Sequence, residues 1–62
     1  MATKIITQKD IYYVKESFET VARAINSAIS ENRYFAIFND KTTNLPIMLN
    51  LSTICTVESI HE

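Results

Sequence analysis

The chain has 62 residues, near the lower limit for a domain that folds alone, since at this length only about 60% of the unfolded surface is buried. It contains no glycine, which excludes a Gly-rich phosphate loop, a dinucleotide fingerprint and a G-x-S-x-G nucleophile elbow. Six Lys and Arg against seven Asp and Glu leave a formal net charge of −1, so there is no general electrostatic footprint for nucleic acid or an anionic membrane.

Thr3–Thr7 is short and β-branched, Gln8-Lys9-Asp10 is polar, and Ile11-Tyr12-Tyr13-Val14 is again β-branched and aromatic. Two such runs around a polar turn predict a β-hairpin. Phe18, Val21, Ala22, Ile25, Ala28 and Ile29 then recur at helical spacing and form one apolar stripe. Ser17 stands where an N-cap oxygen belongs, Glu19 lies in the first turn, and Asn32 takes the place of a C-terminal glycine. The helix is predicted over about residues 17–31. Tyr34–Phe38 reads as a strand with apolar residues on both faces, and Asn39–Asn44 as a polar loop. Leu45–Leu49 reads as a second strand with Pro46 at its start or on an edge. Asn50–Thr53 is a bend, and Ile54–Ile60 the last strand. Without glycine, Asp10, Asn32, Asn39, Asp40, Asn44 and Asn50 are the candidates for strained turn angles.

The fold predicted is α+β over a single domain, residues 1–62. Its order is ββαβββ, with a small four- to five-stranded mixed or antiparallel sheet and the helix on one face. The strands carry more apolar residues than one helix stripe can cover. Either a strongly twisted sheet curls over itself, or the second face or an edge strand is an interface; we take the interface reading.

No residue set points to catalysis. His61 lies at the frayed end beside Glu58 and Glu62 and reads as solvated. Cys55, in a strand and alternating with Val57, reads as a small core residue. The hydroxyls of Ser17, Ser27, Ser30, Ser52 and Ser59 have no histidine partner and read as caps or solvated groups. One Cys and one His cannot make a four-ligand zinc site, and no calcium-loop spacing occurs, so neither metal nor cofactor is expected. The start of the chain has too short an apolar run for a signal peptide, and no stretch approaches a membrane span of about 18 residues. The expectation is a cytoplasmic protein with a reduced thiol and no membrane partner.

The segment Tyr34–Asp40, followed by Pro46–Glu58, has a strand, a polar hairpin, a second strand ending in Asn, and a closing Val-Glu. It resembles many short proteins of Gram-positive bacteria and their phages, and is similar to the small FlbD-type proteins of flagellar operons. The resemblance covers about 25 residues, and the long helix between strands departs from the FlbD pattern, so no functional residue is carried over. It implies a phage or mobile-element accessory protein in a host cytoplasm.

The function expected is a non-enzymatic interaction module that self-associates and binds a protein partner, as a regulator or inhibitor, with Tyr12, Tyr34, Phe38 and Met48 facing the partner. One alternative is a small nucleic-acid-binding regulator that stacks bases on Tyr12, Tyr13, Tyr34, Phe35 and Phe38, flanked by Lys4, Lys9, Lys15, Arg33 and Lys41. Another is an oligomer holding a small ligand between subunits.

Overall fold

The computed structural model describes residues 1–61. Chain order is β1 (Thr3–Thr7), β2 (Ile11–Val14), α1 (Phe18–Ser30), β3 (Phe35–Asn39), β4 (Pro46–Asn50), a 3-10 turn (Leu51–Thr53) and β5 (Ile54–Ser59). The α+β class and the ββαβββ order are those read from the sequence.

The first hairpin turns without any left-handed residue. The Thr7 hydroxyl accepts the N–H of Asp10 at 3.0 Å and donates to the Asp10 carbonyl at 2.8 Å, while Thr7 N–H donates to the same carbonyl at 2.9 Å. This side-chain turn does the work that the sequence assigned to Asp10.

Both helix ends follow local rules. Ser17 Oγ accepts the Thr20 N–H at 3.3 Å as an N-cap. At the other end Asn32 adopts φ 59°, its N–H donates to the Ile29 carbonyl, and the Arg33 N–H donates to the Ala28 carbonyl at 2.8 Å. These two bonds define a Schellman cap. Among the described residues Asn32 and Asn44 (φ 63°) alone have positive φ, so Asp10, Asn39, Asp40 and Asn50 are released from that expectation. Glycine adopts this region without a Cβ penalty. Asn32→Gly and Asn44→Gly are therefore expected to cost nothing or to stabilise by up to about 0.5 kcal/mol, and Asn32→Ala to cost about 1 kcal/mol. Thermal melts of the three variants check this.

The strands do not form one sheet. All pairs are antiparallel, but the order is β2-β1-β5 in one sheet and β3-β4 in the other. The physical reason is α1, which is inserted between β2 and β3. It packs against β3 and β5, and β2 meets β3 only at a corner, where Val14 bridges Asp40. At that corner Lys15 N–H donates to the Asn39 carbonyl at 2.9 Å and Lys41 N–H to the Tyr13 carbonyl at 2.8 Å. The Glu16 carboxylate accepts the Asn39 backbone N–H at 3.1 and 3.2 Å and the Asn39 side-chain Nδ2–H at 2.8 Å. The Glu16 carbonyl in turn accepts the Thr3 hydroxyl at 2.7 Å. A single residue thus ties the helix approach to both sheets.

The core lies between the two sheets and under α1. Ile5, Val14, Val21, Ala36, Phe38 and Leu49 are buried, with Tyr12, Ala24, Ile25, Ile47, Leu51, Ile54 and Val57 packed around them. Phe18 and Ile29, the two ends of the predicted helix stripe, are exposed. On β5, Thr56 faces Ile6 and Ile54 faces Thr7, so Cys55 is the extra residue of a β-bulge. The bulge turns Ile54 and Val57, which differ in parity, both onto the core. It also turns Cys55 outward, and the thiol predicted to be buried is exposed.

Candidate functional site

The hairpin β3–β4 places its side chains by strict alternation. Ala36 faces Leu49 and Phe38 faces Ile47 on the inner side; Phe35 faces Asn50 and Ile37 faces Met48 on the outer side. Phe38 is 1% exposed, so it is a core residue and does not face a partner. The correction follows from register: Phe38 and Ala36 are the partners of Ile47 and Leu49, the more apolar stripe of β4, and that stripe turns inward.

Tyr34 and Met48 are 76% and 62% exposed, as an interface requires. Tyr12 is half-buried and packs against the core, while one side of it reaches a cleft of about 150 Å³ that Met48 also lines, together with Lys9, Asp10, Asn50 and Thr53. Two of the four expected residues, Tyr12 and Met48, therefore meet in one cleft; Tyr34, just before β3, lines another with Ile29, Asn32 and Leu51.

Phe35 and Ile37, which are not among the four partner-facing residues expected from the sequence, are 49% and 63% exposed. With Met48 and Pro46 they make an apolar strip along the outer face of β3–β4. This strip leaves roughly 400 Å² of largely apolar surface in water, in the range of the largest patch a typical monomer carries. Beside it, Ala24 and Ala28 of α1 with Arg33, Phe35, Ile37 and Met48 line a groove of about 300 Å³. A register signal could have found these residues: once Ile47 and Leu49 are taken as inner, a hairpin of this loop length makes Phe35 and Ile37 outer.

The remaining chemistry-bearing side chains are dispersed. Among the described residues no three His, Cys, Asp or Glu side chains gather as a metal site. Ser17 caps α1, Ser30 Oγ donates to the Ser27 carbonyl, and Ser52 Oγ donates to Asn50 Oδ1. Arg33 pairs with Glu31 at 3.2 Å, both exposed, which is worth little in water. The aromatics are divided as well: Tyr13 lies on the outer face of the three-stranded sheet beside Lys4, Phe35 on the outer face of β3–β4, and Phe38 inside. No described helix is long and apolar enough to cross a membrane.

No protein-family model matches the chain, and neither a curated protein nor a solved structure is detectably similar to it.

Proposed function

We propose that the chain is a non-enzymatic interaction module that associates with a second copy of itself and presents an apolar surface to a protein partner. The observation that carries this reading is the outer strip of β3–β4, where Phe35 and Ile37 stand in water on successive outward positions of β3 and Met48 stands across from Ile37 on β4. The inner face of the same hairpin already holds the core, so the strip is not part of the buried core. A chain with so few buried side chains gains most from a second copy. The formal net charge of −1 does little to oppose such contact.

The resemblance to short phage and Gram-positive proteins extends the proposal to an accessory regulator or inhibitor acting in a host cytoplasm. Dispersal of the aromatics over separate surfaces favours a protein partner over a single-stranded nucleic acid, whose bases need a shared stacking platform. Multi-angle light scattering over about a hundredfold range of concentration tests the reading. Mass is expected to rise from monomer toward dimer, and Met48→Ser with Phe35→Ser is expected to lower binding of any partner without unfolding the chain. A strict monomer at millimolar concentration removes the self-association half of the proposal.

A further inference from the structure

We infer that the self-association runs through the free edge of β3, as an antiparallel pairing of Tyr34–Phe38 with the same segment of a second copy. This inference rests on the proposed self-association and adds its geometry.

The ladder settles which backbone groups are free. Leu51 N–H donates to the Tyr34 carbonyl and Asp40 N–H to the Leu45 carbonyl, so even-numbered residues of β3 turn their N–H and C=O groups to β4. Asn39 shows the opposite phase: its N–H meets Glu16 and its carbonyl meets Lys15, both on the side away from β4. Phe35 and Ile37 share that phase, and no described residue bonds to their N–H or C=O groups on that side. The Glu16–Asn39 clamp closes the C-terminal end of the edge. Its N-terminal part stays open above the groove floored by Ala24 and Ala28.

Free strand groups call for another strand. The open stretch is self-complementary: centred on Ala36, Phe35 faces Ile37 of the second copy and the reverse, and each pair exchanges two N–H to O=C bonds, as a two-fold contact demands. Each of these pairs sets an aromatic ring against a β-branched side chain, a favoured cross-strand combination. Ala24 and Ala28 are small enough to let the second strand approach α1. The result is a four-stranded sheet, β4-β3-β3-β4, whose outer face joins the two apolar strips into one platform for a partner. An edge contact of this length buries less than the ~1,200 Å² of stable assemblies, so the dimer is expected to be weak and in rapid exchange.

Amide hydrogen exchange of the whole chain, followed residue by residue by NMR at low and high concentration, tests this. Exchange at Phe35 and Ile37 is expected to slow at least tenfold as the dimer fills, while Ala36 and Phe38, already bonded to β4, change little. Phe35→Pro removes an outward N–H at the first position of β3 and is expected to abolish the dimer with the circular dichroism spectrum unchanged, whereas Met48→Ser leaves the dimer in place. If light scattering shows a dimer but Phe35 and Ile37 exchange at rates independent of concentration, the edge pairing is wrong and the self-association stands. If the chain is monomeric throughout, both fall. Should Phe35→Pro fail to fold, the exchange data on the unaltered chain decide alone.

Discussion

Phe38→Ala is expected to leave the chain largely unfolded at 25 °C. Phe38 is the largest fully buried side chain and sits among Ile5, Val14, Val21 and Leu49. Truncating a buried phenylalanine costs about 3–5 kcal/mol, transfer and cavity terms together. A domain of this size, with no disulfide or metal, has about 3–5 kcal/mol of net stability. The two quantities are equal within their spread, so the folded population collapses. Tyr34→Ala, at the exposed end of the same strand, is expected to change stability by less than about 0.5 kcal/mol. Urea titrations followed by circular dichroism compare the two. A Phe38→Ala variant with a midpoint near that of the unaltered chain would remove Phe38 from the core and return it to the surface that sequence parity suggested.

Glu16→Ala is expected to destabilise by about 2 kcal/mol, far more than an ordinary loop substitution. Three contacts from Asn39 converge on the Glu16 carboxylate, one N–H reaching both oxygens and the side-chain amide adding a third. Removing the acceptor leaves the Asn39 donors without a partner at the corner where the two sheets meet. The corner is only partly buried, so water recovers some of the loss, and this keeps the cost below that of a fully buried charged bond. Glu16→Gln retains one acceptor oxygen and should recover about half. A double-mutant cycle with Asn39→Ala isolates the side-chain bond, with a coupling of about 1 kcal/mol. A Glu16→Ala variant as stable as the unaltered chain would show that the sheets hold their corner by backbone bonds and packing alone.

The two substitutions also mark where reading the sequence succeeded and where it stopped. Glu16 stands just before a helix start, where an acidic side chain suits the helix dipole. Its second role, an anchor for a residue 23 positions along the chain, has no local trace. Phe38 and Tyr34 share parity and composition. Only the pairing of Phe38 with Ile47 separates a core residue from an exposed one. Cys55 belongs to the same class: alternation with Val57 places it inside, and one bulge reverses it. Tyr12 and Met48 were selected as apolar surplus, and the structure sets them on one cleft between β1–β2 and β4.

Element order, helix limits, the Ser17 cap and the Asn32 cap were determined by the sequence alone, because each depends on bonds within a turn or two of the chain. The absence of glycine likewise narrowed the positive-φ positions to six Asn and Asp residues, of which Asn32 and Asn44 take them, since short polar side chains tolerate that region best. Tertiary structure alone decided the division into two sheets, the inward turn of Phe38, the outward turn of Cys55 and the open edge at Phe35 and Ile37. Strand periodicity is two, and a period of two says which residues share a face without saying which face is in. That choice is made by partners far away in sequence, through register, and here also by the helix that keeps β2 and β3 apart.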